Sequence, residues 1–121
     1  ECEWQEAAFG MLGLETALSI VQKTMVDTSL MSWDLVAERM SHAPARIGGY
    51  LQQGQKIAVG SVANITVINP TQSWRVDRDL VLSNSSNTPY HGHELPGVVL
   101  HTFFKGKQTL TNGAMTDKEN M

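Results

Sequence analysis

The chain has one cysteine, Cys2, among its 121 residues. A lone thiol cannot close an internal disulfide, which excludes a disulfide scaffold and leads to the expectation of a reducing, cytoplasmic setting. Charge is also sparse, at 17% of residues, and neither sign dominates: 9 basic side chains against 12 acidic ones leave a formal net charge of -3. Without a basic excess there is no electrostatic footprint for nucleic acid. No basic amphipathic stretch points to a membrane surface, and the apolar runs are too short to span a bilayer. No secretory-type segment is expected; the first residue is Glu1 rather than Met.

What is present reads as a folded chain, with 41% hydrophobic residues. The pattern divides near Gly48-Gly49. Before it, Leu14, Ala17, Leu18, Val21 and Met25 recur at helical spacing and predict a helix over 14–26 with those residues on its buried face. Ser32 is the expected N-cap of a second helix burying Leu35, Val36 and Met40, with Asp34 in its first turn. Ser41-His42-Ala43-Pro44 is expected to interrupt it, Pro44 opening a short third helix that ends at Gly48-Gly49.

After the glycines the pattern is β. Ile65 to Ile68 reads as a short strand between Gly60 and Pro70, and Val98 to Phe104 as the strongest strand. Lys105-Gly106 predicts a tight turn, with Lys107 to Leu110 returning as its hairpin partner. Composition makes 83–89 a loop and everything from Gly113 onward a frayed tail.

Two glycines bracket a short apolar turn near the start, Ala8-Phe9-Gly10-Met11-Leu12-Gly13-Leu14-Glu15-Thr16-Ala17-Leu18. The run resembles the loop and helix after the last barrel strand of class I dihydroorotases, which belong to the amidohydrolase superfamily. Ile57-Ala58-Val59-Gly60-Ser61-Val62-Ala63-Asn64, followed by an apolar strand and Asn69-Pro70, is similar to a segment shared across that superfamily, where the chain leaves the barrel for a small β-sandwich. Trp74-Arg75-Val76, Asn87-Thr88-Pro89-Tyr90-His91-Gly92 and Gly97 to Gly106 match the dihydroorotase C-terminus in order and spacing. Ala8 stands where the family has Pro, and Asn64 and Asn69 replace Asp residues, which bears on local turn geometry.

The resemblance implies an α/β fold class: the C-terminal part of a TIM-barrel metal-dependent hydrolase, with 1–49 its last βα loop and terminal helices, 50–112 part of the β-sandwich, and 113–121 a disordered tail. A chain that opens in the middle of a motif is expected to be a piece of a longer protein. The implied reaction is the reversible cyclisation of N-carbamoyl-L-aspartate to dihydroorotate in pyrimidine biosynthesis, by a metal-bound hydroxide. Binuclear zinc is the implied cofactor. Its ligands (a His-x-His pair, a bridging modified lysine and two further histidines) and an Asp acting as general acid and base are expected upstream of Glu1. No catalytic and no metal-ligating residue is therefore expected in this chain, which alone should be inactive and should expose apolar faces meant for the barrel.

The resemblance assigns the backbone of Phe9 and Gly10 to substrate contact; the blander account makes Phe9 a core plug and Gly10 a turn residue. His91-Gly92-His93 has metal-pair spacing, but two nitrogens cannot complete a zinc site and the flanks match the C-terminal loop, so a solvated loop is expected. His42 and His101 are isolated, and Glu15 reads as a carboxylate at the positive end of a helix. Met11, Met25 and Met31 read as packing. The implied partner is the small-molecule substrate, with a homodimer or aspartate carbamoyltransferase association as further options and neither nucleic acid nor membrane. Two rivals remain: an allantoinase- or hydantoinase-type cyclic amidohydrolase, and a non-catalytic dihydroorotase-like subunit scaffolding aspartate carbamoyltransferase.

Overall fold

The computed structural model describes residues 3–7 and 9–116. Cys2, Ala8 and residues 117–121 lie outside them, and with them the readings of the lone thiol, of the Pro-to-Ala change and of the last tail residues. After a 3-10 turn at Trp4–Glu6, the first helix opens three residues later than its apolar spacing predicts. Residues 14–16 are a turn. Helix α1 covers Ala17–Val21 and continues without a break into a π-helical stretch, Gln22–Val26.

The buried face of that helix is not the expected one. Thr16, Ser19 and Gln22 are each only 3% exposed, whereas Leu14 is 91% exposed and Ala17, Leu18, Val21 and Met25 are half-buried. The polar side is the one turned to the sheet, and it is paired there except for Gln22 Oε1, which has no hydrogen-bond partner. Ser19 Oγ donates to Gly97 O at 2.9 Å and accepts from Trp74 Nε1 at 2.9 Å, while Gln22 Nε2 donates to Pro70 O at 2.8 Å. Buried polar groups are stable only when paired in this way.

Helix α2 (Trp33–Ala37) starts as expected: Ser32 is extended at φ -83 and ψ 162, and its hydroxyl accepts from Leu35 N at 3.3 Å. Val36 is buried, Leu35 is half-buried and Met40 is exposed. The expected interruption at 41–44 does not occur. A π-helical stretch at Glu38–His42 joins α2 to α3 (Ala43–Gly48), with Pro44 in the first turn of α3. A π register widens the turn that a proline ring would otherwise crowd, so the helix absorbs Pro44 rather than ending at it. Gly49, at φ 70, ends α3.

The strands make one antiparallel sheet of four in the order β1-β2-β3-β4. β1 (Ile65–Arg75) does not stop at Pro70: a register shift between Asn69 and Ser73 lets it bulge past the proline and resume. β2 spans Glu94–Phe104 and β3 Lys107–Thr111, joined through Lys105 and Gly106 at φ 51 and 82. The tail expected from Gly113 is ordered up to Thr116: Asn112 and Gly113 make a second turn of that kind, and β4 (Ala114–Met115) pairs back on Leu110 and Thr111. The Asp-to-Asn change at position 64 has a use here. Asn64 Nδ2 donates to Gln52 O at 2.7 Å while its Oδ1 accepts from Lys105 N at 2.8 Å, a pairing that a carboxylate could not complete.

The core is small. Its buried apolar side chains among the described residues are Val36, Ala45, Val76 and Leu95. The accessible surface is 9372 Å², against roughly 6,500 Å² for a compact monomer of this length.

Candidate functional site

Phe9 to Gly13 form an irregular loop that enters the turn before α1. Phe9 is 103% exposed, so it plugs no core within this chain. Gly10 has φ +73, and a Cβ built there meets no atom within 4 Å. The space beside its backbone is therefore open, and the left-handed conformation favours glycine there.

The loop lies against the segment 81–88. Asn87 Nδ2 donates to Gly10 O, and Leu12 N donates to Asn87 O at 2.8 Å. One turn further on, the Glu15 carboxylate accepts from Leu82 N at 3.0 Å and from Ser83 N at 3.3 Å. Glu15 stands just before the N-cap Thr16, at the helix start as expected, and its carboxylate in addition tethers 82–83. A cleft of about 410 Å³ runs between the two segments, lined by Leu12, Gly13, Glu15, Val81, Leu82 and Thr88 among others.

The histidines do not converge. His91 and His93 flank Gly92, which has φ 80, in the turn that leads into β2. Both are exposed, and His91 Nδ1 accepts from Arg78 N at 3.1 Å. His101 meets Gln108 across the β2–β3 ladder at 3.1 Å. Among the described residues no group of three or more His, Cys, Asp or Glu could hold a metal ion. The residues present therefore do not fit a zinc site of their own.

Sequence reasoning marked the loop at Phe9 and Gly10, and took Asn87 as loop composition and as part of the Asn87-to-Gly92 resemblance without linking it to that loop. It also missed Ser19 and Gln22, whose polarity marks them as surface on an amphipathic wheel. The available signal for Asn87 was its place in Asn87-Thr88-Pro89, where a side-chain amide precedes a rigid Thr-Pro step.

No protein-family model matches the chain. Curated relatives do. The chain is 51% identical over 116 residues to a dihydroorotase of Streptomyces coelicolor, which covers 96% of this chain and 27% of that protein. It is 43% identical over 111 residues to a dihydroorotase of Mycobacterium tuberculosis, covering 92% of this chain and 26% of that one. The chain is a dihydroorotase-related segment. It spans about a quarter of the length of the curated relatives it matches. Among solved structures, it superposes on L-hydantoinase (dihydropyrimidinase) from Arthrobacter aurescens with a TM-score of 0.82 and 28% identity, over 92% of this chain and 25% of that one. A D-hydantoinase gives 0.77 and 25% identity, over 93% and 24%. These neighbours are hydantoinase and dihydropyrimidinase enzymes, and the chain superposes on about a quarter of each as a mixed unit of helices and antiparallel sheet. No helix among the described residues is long and apolar enough to cross a membrane.

Proposed function

We propose that the chain is the C-terminal portion of a dihydroorotase, working within a longer protein that interconverts N-carbamoyl-L-aspartate and dihydroorotate. The observation that carries this reading is the 51% identity to a dihydroorotase across nearly the whole chain. In it, residues 1–49 supply the last βα loop and closing helices of the barrel, and 50–112 part of the β-sandwich. Phe9 and Gly10 present their backbone to the substrate. The exposed phenyl ring and the open space beside Gly10 support that role, since a closely approaching ligand needs a backbone without a Cβ in its way.

The family's zinc, when bound, supplies an activated water and polarises the amide. Among the described residues no group of three or more ligating side chains would hold it, and in this reading the chain's own contribution is to shape and close the pocket. The large accessible surface supports the same division of labour. Half-exposed Ala17, Leu18, Val21 and Met25, and Leu14 and Ile47 at 91% and 88%, are suited to cover a barrel wall. On this reading the segment alone is inactive, the whole enzyme is cytoplasmic, and its other contacts are a homodimer or an aspartate carbamoyltransferase.

The hydantoinase and dihydropyrimidinase neighbours favour one second reading, a cyclic amidohydrolase acting on a hydantoin or dihydropyrimidine ring. Assaying the full-length protein on dihydroorotate, hydantoin and dihydrouracil tests both. Preferential turnover of dihydroorotate is expected; turnover of either other ring alone would overturn the first reading. No turnover of any of the three, in a protein lacking the upstream ligands, would make it a non-catalytic subunit.

A further inference from the structure

We propose that Asn87 is a positioning residue that holds the Phe9–Gly10 loop in its substrate-contacting conformation; this rests on the dihydroorotase reading above. Asn87 reaches the loop with both of its ends. Its side-chain amide donates to Gly10 O, and its backbone carbonyl accepts from Leu12 N at 2.8 Å. The two bonds bracket Met11 and fix the peptide planes on either side of it. The Thr16 hydroxyl holds the far end of the loop through Gly13 O, at 3.2 Å, and the two Asn87 bonds hold its middle. Fixing the loop beforehand lowers the ordering cost that substrate would otherwise bear.

Asn87 is itself fixed within a closed circuit. Upstream, Leu82 and Ser83 donate to Glu15 at the start of the helix. Downstream, Thr88 Oγ1 accepts from Tyr90 N at 3.3 Å, and the chain enters β2, whose Gly97 carbonyl is bonded to Ser19 of α1. Loop, segment 82–88, β2 and α1 therefore form one ring of contacts that Asn87 completes. Opening it at Asn87 frees the loop while leaving α1 on the sheet.

The test uses the full-length protein and four forms: wild type, Asn87→Ala, Asn87→Asp, and Asn84→Ala in the same loop as a control. For dihydroorotate hydrolysis, Asn87→Ala is expected to raise KM about tenfold, the scale of one net hydrogen bond. Its kcat stays within about twofold, because a contact made equally in ground and transition states moves KM alone. Metal content is unchanged. Asn87→Asp keeps the shape but turns an acceptor toward Gly10 O, and is expected to lose at least as much; Asn84→Ala matches wild type. A KM for Asn87→Ala within twofold of wild type, or wild-type behaviour of Asn87→Asp, overturns the proposal. If wild type turns over no dihydroorotate, the functional reading fails by itself and hydrogen–deuterium exchange of residues 9–15 decides the clamp. Faster exchange in Asn87→Ala than in wild type, with 17–26 unchanged, supports it, and equal exchange overturns it.

Discussion

The helical stretch from Ala17 to Gly48 and the sheet from Ile65 to Met115 use their side chains in opposite ways. The sheet is built through long ladders and two tight hairpins, and the two most deeply buried side chains are Leu95 in β2 and Val76 just after β1. The helices turn polar groups inward, Thr16, Ser19 and Gln22, and leave much of their apolar surface outside. α2 and α3 are consecutive parts of one helical run, joined through the π-helical stretch, and make no extensive contact with the sheet. A self-sufficient domain of this length would place its helical stripe on its sheet. Here the stripe stays half-buried, and the fully buried contact between the two regions is a short polar latch. The difference is what the proposed placement of these helices against a barrel requires.

The largest expected effect comes from breaking that latch at its tightest point. A Cβ on Gly97 would lie 2.4 Å from Gln22 Oε1, and Gly97 has φ +82. Gly97→Ala in the full-length protein is expected to cost about 3 kcal/mol, from backbone strain together with the loss of the Gln22–Pro70 bond. Its denaturation midpoint measures this. Adding Gln22→Ala should recover part of the loss, because it removes the obstructing amide but not the strain. Full additivity of the two substitutions would show that the groups do not meet. Next, Ser19→Ala leaves both Trp74 Nε1 and Gly97 O without their partner. It is expected to cost about 2 kcal/mol in the same measurement.

These two residues also show where sequence reading stopped. The hydrophobic stripe from Leu14 to Met25 was legible as a helix, but spacing says which residues share a face, not which face finds a partner within the chain. Ser19 and Gln22 are buried only because Gly97 and Pro70 offer carbonyls 78 and 48 residues away, and nothing local encodes that. The sheet was more legible. Lys105-Gly106 and the apolar run before it dictate a hairpin by turn chemistry alone, and Asn112-Gly113 repeats the signal where polarity had suggested a tail. Proline misled twice, at Pro44 and Pro70, since a π register and a bulge each absorb a missing N–H without ending the element. At the candidate site, the irregular loop that holds Phe9 and Gly10 was legible from its two glycines. Asn87 was not, because a single amide in a Ser/Asn-rich stretch gains meaning only from the loop that folds against it.

Within the helical region, smaller effects separate local from tertiary support. Ser32→Ala removes a working N-cap and is expected to cost about 1 kcal/mol by the same midpoint. If the α2–α3 arm is held chiefly by a surface outside this chain, the loss will fall well below that. The smallest effect concerns Glu38, whose carboxyl is held below its ordinary range chiefly by the hydrogen bond from Arg46, at 2.7 Å. A carboxyl with a lowered folded-state pKa stabilises the fold above the ordinary carboxylate range and loses that contribution as pH falls through the lowered value. Glu38→Gln should therefore lower the thermal midpoint slightly at neutral pH, and the gap to wild type should close on acidification. Both side chains are solvent-accessible, so high salt should shrink the gap as well.

Differential scanning calorimetry of the 121-residue chain alone tests the central claim most directly. A segment whose helices are made to lie on a barrel should unfold in a broad, shallow transition, with a calorimetric enthalpy far below the roughly 85 kcal/mol of a cooperative domain this long. A single sharp transition of that full enthalpy, from a monomer, would contradict it.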